Sequence, residues 1–431
     1  MKTLHHPKIV ELSWVALALV LCLTGCGKSG GKADAQAAAT INTKLEAIRQ
    51  AGQPVTLAEL NAWYPEPPAA ENAAPLYAEA FAALAVEDAQ SSSFLAKNQK
   101  TLQLLHQAAT RTKCRYPVDL TEGYTAKLPH LAKIKTCAQL LGKEAVSNAT
   151  KGRVDLAAQS VVDGLRLDRS LEQEPILISQ LVRMASDSIL QTGLEEAVNQ
   201  KAFTEEQLVH LQAAFRGTEN GANAAMTRCL SGERCSLIGI FQSSPQESAN
   251  VIAQMEESAK TIDLEDYRKS PSFNADFNFG LDVLSNWIAI ASAPFPGCLD
   301  AAGQLSSQVN EAKSKGYLIS AVLLPALSGP MGKAAESVGR LRVAQTALAV
   351  ERYRLAHGNT LPASLNELTP KYLEVVPDDP FDGKPLRYKK LSPKGYVVYS
   401  IGRNRQDDGG TPKPTGGKAD GPYDLTFAVR R

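Results

Sequence analysis

The stretch VDLAAQSVVDGLRLDR, residues 154–169, places Val154, Ala158, Val161 and Leu165 three and four positions apart, on one face of a helix. Working outward, Ile178, Leu181, Ala185 and Ile189 repeat the spacing after Pro175, which suits the first turn of the next helix. Segments 74–88, 92–111 and 128–150 read the same way, and Gly152 suits a helix stop between two of them. Thr56 with Glu59, and Thr204 with Gln207, have the spacing of capping boxes, which satisfy the free amides at helix starts. From about residue 41 to 215 the chain therefore reads as helices joined by short turns. Such a pattern makes either a multi-helix bundle or an array of helix pairs.

Residues 216–300 look less regular. Ser244-Pro245-Gln246-Glu247 is a capped helix start, but SPSFNADFNFG and SAPFPGC read as loops and short helices covering the helical core. The run YLISAVLLPALS, residues 317–328, is apolar but only twelve residues long and holds Pro325, so it reads as a buried element. Tyr64, Pro65, Pro67 and Pro68 form an aromatic-proline corner that reads as a packed loop rather than a groove wall.

The chain of 431 residues is 44% apolar with a formal charge of +1, enough for two or three domains and too neutral for nucleic acid as main partner. Charge is uneven: residues 332–431 hold 17 basic and 11 acidic side chains, so a boundary is expected near residue 330. No two histidines downstream of His6 have metal-ligand spacing, and there is no G-x-S-x-G elbow. His106, His130, His210 and His357 read as surface or helix-end residues. Carboxylate pairs such as Glu195-Glu196 diverge on a helix and read as solvated faces. No catalytic residue is assigned.

The first 26 residues have a short basic start, an apolar run from Val15 to Leu23, and small residues leading into Cys26. That order is a secretory signal too short to span a bilayer. Leu23-Thr24-Gly25-Cys26 resembles the lipobox of bacterial lipoproteins, which implies a signal peptide over residues 1–25 and acylation of Cys26. Residues 26–40 then read as a flexible tether. Five cysteines remain beyond Cys26, in a compartment that permits disulfides. Cys114 with Cys137 and Cys229 with Cys235 are the nearest pairings by sequence, and small buried thiols are an equal alternative.

From Gly332 the pattern changes. A helix to about Ala356 ends at His357-Gly358-Asn359, and strands follow at Leu386–Tyr388, Tyr396–Ser400 and Asp424–Val429. The succession ALAVERYRLAHGNTLPASLNEL, VPDDPFDGKPLRY and GYVVYSIGRNRQDDGG resembles the globular head of the major pseudopilin of type II secretion. The resemblance covers roughly the last hundred residues and implies a long helix packed on a small antiparallel sheet, with Asp379–Pro385 leading into the first strand. It departs from the family at the other end, where a lipobox and about three hundred residues stand in place of a prepilin site and fibre-forming helix. The resemblance also implies calcium in the loop after the Tyr396–Ser400 strand, which here holds Asp407, Asp408, Asp420 and Asp424. The alternative is that these aspartates make turns in a glycine-rich loop.

The expected fold is mainly α: a helical domain over 41–329, then a small α+β domain over 330–431. The expected function is that of a lipid-anchored cell-envelope protein, on the periplasmic or extracytoplasmic face. It would be held to the membrane through Cys26 and have a structural, scaffolding or protein-binding role beside other envelope proteins. A relation to type II secretion or pilus-like assembly follows from the resemblance alone. The competing expectation is a periplasmic hydrolase whose site lies between the helical domain and segment 216–300.

Overall fold

The computed structural model describes residues 29–431 except 86–90, 92, 256–262, 393 and 415–420, with side chains from residue 35 onward. Its helices are, in order, α1 (Ser29–Gln50), α2 (Leu57–Trp63), α3 (Ala74–Ala83), α4 (Phe94–Lys97), α5 (Gln99–Ala108), α6 (His130–Thr150), α7 (Val154–Arg169), α8 (Leu177–Gln200) and α9 (Glu205–Asn220). They continue with α10 (Ala222–Gln242), α11 (Pro245–Met255), α12 (Leu264–Lys269), α13 (Ser272–Ser292), α14 (Gly297–Val309), α15 (Glu311–Ser314), α16 (Leu318–Leu323) and α17 (Pro330–Ala356). Strands β1 (Arg387–Lys390), β2 (Tyr396–Ser400) and β3 (Leu425–Val429) form an antiparallel sheet in sequential order. The protein is mainly helical with one small sheet near its C-terminus.

The local signals act as their chemistry requires. Thr56 Oγ1 accepts from the Glu59 amide, Thr204 and Gln207 close a full capping box, and Ser244 and Glu247 bond reciprocally. Gly152 and Gly358 adopt φ of +74° and +57° at helix ends, a region that only glycine enters without a Cβ penalty. Helices α6, α7 and α8 each pack on the other two, as in a bundle.

The α6–α8 crossing is close because glycine faces glycine. A Cβ added to Gly193 would lie 2.8 Å from Gly142 Cα, so the backbones themselves would have to part. Gly193→Ala is expected to cost about 1–3 kcal/mol despite alanine's better helix propensity. Gly303→Ala on α14, where nothing lies within 4 Å of the added methyl, is the control and should stabilise by up to about 1 kcal/mol. Urea midpoints of the two variants check this, and a Gly193→Ala midpoint at or above wild type would refute the close crossing.

Two large apolar cores dominate the described residues, and neither is confined to one side of residue 330. The first joins α3, α5, α6, α7 and α9 to Leu341, Val343, Ala347 and Val350 of α17 and to Tyr396, Val398 and Phe427 of the sheet. The second gathers α1, α10, α13, α14 and α16 around Trp287, with Met331 and Ala334 from the start of α17. Helices α8 and α17 contribute to both cores. The charge step at residue 330 thus marks the start of a shared helix, not a division between separate cores. The apolar run 317–328 is α16 plus a 3-10 turn, with Ile319, Leu323, Leu324 and Leu327 buried as expected.

Two expectations are corrected. Residues 29–40, read as tether, belong to α1, whose Ile41 and Leu45 are buried against the second core. Segment 216–300 is built on the long buried helices α10 and α13 rather than on loops. Phe277, Leu281, Leu284 and Ile288 recur at helical spacing there, and they pack inward. Of the two readings left open for the cysteines, the thiol alternative is the one seen: Cys114, Cys137, Cys229, Cys235 and Cys298 are all free. Cys229 and Cys235 share α10 six residues apart, roughly 9 Å along its axis and beyond disulfide reach.

The sheet is anchored on both sides. Its inner face, Tyr396, Val398 and Phe427, packs in the first core, and the Tyr396 hydroxyl donates to Ala347 O at 3.0 Å. Its outer face carries Val397, Tyr399 and Ala428, against which the loop passing Gly410 lies. The free edge of β3 is closed by α8: Glu195 accepts from the Ala428 amide at 3.0 Å, and Asn199 bonds Ala428 O and the Arg430 amide, both at 2.8 Å. Glu195, read as a solvated carboxylate, is therefore a sheet clamp. Burial pushes its carboxyl up to about 7.

Candidate functional site

A cleft of about 700 Å³ opens where five segments meet. Trp63 ends α2, and Tyr64, Pro65 and Pro67 continue from it as one wall. The corner read as a packed loop is thus a groove wall. Ala73 and Tyr77 enter from α3, residues 109–114 follow α5, and Arg166, Arg169 and Ser170 come from the end of α7. Arg228 of α10 closes the remaining side.

The walls are braced before any ligand arrives. Ala73 N donates to Lys113 O at 2.8 Å, and the Arg115 amide donates to Asn72 Oδ1 at 3.1 Å, tying segment 109–115 to the start of α3. Arg115 Nε donates to Tyr64 O at 2.6 Å while its guanidinium lies 4.8 Å from the centre of the Tyr64 ring. Arg111 Nη1 donates to Asn72 O at 2.6 Å. This cross-bracing fixes the cleft's shape.

The lining is strongly cationic. Arg111, Lys113, Arg166, Arg169 and Arg228 face Glu172 as the single acidic residue of the lining. Three of these cations are paired: Lys113 with Glu71 at 2.8 Å, Arg166 with Asp163 at 3.2 Å, and Arg169 with Glu172 at 3.2 Å. Among the described residues Arg111 and Arg228 have no carboxylate at ion-pair distance. Arg228 instead sits 4.3 Å from the centre of the Trp63 ring. Burial lowers its guanidinium from the ordinary value, with nearby Glu172 opposing.

Beneath the floor lies a buried polar chain. The Tyr116 and Ser170 hydroxyls bond at 2.8 Å, Ser170 donates to Leu167 O, and Tyr116 stacks on His130 at 4.3 Å. His130 Nε2 in turn bonds Glu174 Oε1 at 3.1 Å, which also accepts from Ser179. His130 is thus buried in a polar chain at the start of α6. His106 is not a plain surface residue either: it bridges Asp163 at 2.8 Å and Glu144 at 2.9 Å. Burial alone would lower its pKa, but the two carboxylates outweigh burial and hold it at about 9.

Chemically, the lining offers guanidinium groups to an anion, and neither of its candidate nucleophiles, Ser170 and Cys114, has a base beside it. No histidine lines it among the described residues. Burial pushes the Cys114 thiol up to about 12 and the Tyr64 phenol well above its usual value, so both stay protonated at neutral pH. Ser170 has a tyrosine and a carbonyl as partners, not a base.

The residues singled out from sequence lie elsewhere. Cys26 and Asp420 fall outside the described residues. Asp407, Asp408 and Asp424 do share the loop between β2 and β3, yet their oxygens hold the loop itself. Asp424 accepts the Gly410 amide at 2.7 Å and the Asp408 amide at 3.3 Å, Asp407 accepts the Gly409 amide at 2.9 Å, and Asp408 accepts from Asn404 at 2.7 Å. No group of three metal-ligating side chains occurs among the described residues. Asp407, accepting from the amide two residues on, makes an Asx turn. Asp379, in the segment entering β1, is a fully buried hub that accepts from Phe381 N, Ile401 N, Ser400 Oγ and Arg387 Nη1.

No protein-family model matches the chain, and no curated protein or solved structure is similar to it.

Proposed function

We propose that this is a lipid-anchored cell-envelope protein that works by binding, with the braced cationic cleft as its binding site. One observation carries the binding part: a cleft of about 700 Å³, within the usual range for ligand sites, holds two unpaired guanidinium groups and no activated proton-transfer group. The anchor rests on the lipobox resemblance of Leu23–Cys26. A helix packed on a three-stranded meander, with Asp379 fastening the segment before β1, is in keeping with the pseudopilin-head resemblance. A structural or scaffolding role beside other envelope proteins, related to type II secretion or pilus-like assembly, follows from that resemblance.

The hydrolase reading drew its site between the helical domain and segment 216–300, and Arg228 does bring that segment to the cleft. What the cleft lacks is a base beside Ser170 or Cys114. Cell fractionation tests the anchor: the full chain is expected in the membrane fraction with a fatty-acylated N-terminus, and Cys26→Ser in the soluble envelope fraction. Cys26→Ser remaining wholly membrane-bound would overturn it.

A further inference from the structure

We infer that the cleft takes a small molecule carrying two negative charges on a ring or other apolar body, as carboxylates or as a phosphate ester. The inference rests on the cleft being a binding site, and not on the lipid anchor.

The charge follows from counting partners. Three of the five lining cations already face carboxylates, at Glu71, Asp163 and Glu172. Arg111 and Arg228 have no carboxylate at ion-pair distance among the described residues, so two guanidinium groups at the cleft remain open to an added anion. A half-buried guanidinium without an anion is costly, and a bidentate oxyanion removes that cost. Arg111 has one Nη engaged by Asn72 and Ala69 carbonyls, which fixes its plane and leaves its other donors for a ligand. Arg228 has no hydrogen-bond acceptor among the described residues, so its whole fork is available, steadied from one side by Trp63.

The body follows from the walls. Trp63, Pro65 and Pro67 present apolar surface to the cleft, with the buried rings of Tyr64 and Tyr77 packed at its wall. A bare inorganic ion would leave that surface wet, whereas a ring would cover it. Carboxylate and phosphate share the geometry that a guanidinium fork recognises, so the two are separated by experiment.

Isothermal titration of the mature full chain in detergent with terephthalate, phenyl phosphate and inorganic phosphate tests the inference. One of the two aromatic dianions should bind at least tenfold tighter than inorganic phosphate, and which one does so names the anion. R228Q should weaken that ligand at least tenfold, R228K by less, and W63F little, while circular dichroism reports that each variant is folded. Two results overturn the inference: neither aromatic dianion binds at millimolar concentration, or R228Q binds as wild type does. The fractionation of Cys26→Ser has an independent readout, so the anchor and the ligand can fail separately.

Discussion

Arg183→Met is expected to remove about 3–5 kcal/mol of unfolding free energy, because the Arg183 charge opposes the cost of burying the Asp168 and Asp187 carboxyls. Helix α8 sets Arg183, Asp187 and Gln191 four residues apart on one buried face, opposite Asp168 of α7 and Ser337 of α17. Arg183 is 1% exposed, Asp187 2% and Asp168 0%. Arg183 Nε donates to Gln180 Oε1 at 2.9 Å, and Ser337 Oγ donates to Asp187 Oδ2 at 3.3 Å. Burial pushes both carboxyls up, Asp168 the further, because the neighbouring carboxyl adds to burial while Arg183 opposes. The expected state is one proton shared by the pair, leaving a single negative charge toward Arg183. Asp168→Asn mimics the protonated member and should cost well under half as much as Arg183→Met. Adding Asp187→Asn to Arg183→Met should recover part of the loss, as a coupled pair requires. Urea unfolding of the four proteins decides it. If Asp168→Asn is as damaging as Arg183→Met, both carboxyls are charged and the shared proton is wrong.

That network shows where sequence reading stops. The apolar faces of α6, α7 and α17, the capping residues at Thr56, Thr204 and Ser244, and the three strands were all legible, because each depends on neighbours within a few residues. A polar residue on a helix has no such local mark. Gln180, Arg183, Asp187 and Gln191 recur at the same three- and four-residue spacing as an apolar stripe, and a polar stripe ordinarily faces water. Only the packing of α7 and α17 over it shows that this one is buried. Segment 216–300 failed for a different reason: its Asn, Phe and Pro content drew attention away from Phe277, Leu281, Leu284 and Ile288, whose spacing was there to be counted. The cleft fared worst. Its residues come from separate short segments between positions 63 and 228, and no spacing pattern links one segment to the next. The nearest hints were the basic run Arg111-Thr112-Lys113-Cys114-Arg115 and the pair Arg166 and Arg169, each ordinary by itself.

Stability should fall steadily from about pH 5 to about pH 9, because the strongly shifted buried groups hold protons more tightly in the folded state than in the unfolded chain. Glu195 is pushed to about 7 by burial, against the Ala428 amide it accepts, and burial likewise carries Glu233 to about 7. Unfolded, each would ionise near 4.5. Between those values the unfolded chain gives up a proton that the folded protein keeps, so each glutamate makes folding less favourable as pH rises. Each full shift corresponds to roughly 3 kcal/mol, and about 2 kcal/mol is expected once solvent near these half-buried groups is allowed for. His106 acts over a higher window. Its imidazolium, clamped by Asp163 and Glu144, titrates at about 9 instead of 6.5. Its contribution is complete below about 6.5 and is lost as pH rises through 9. The buried Asp168–Asp187 pair adds to the decline in the same direction. Only carboxylates held below their usual range, such as Asp382 beside Arg387, pull the other way, and they matter at more acid pH. Melting temperature measured at constant ionic strength should therefore peak on the acid side of neutrality. Glu195→Gln should flatten the limb below neutrality and His106→Gln the limb above it, each without altering the other. A melting temperature that rises from about pH 5 to about pH 8 would show that these groups are not proton-trapped, and that the clamps on the sheet edge and on His106 are looser than their distances imply.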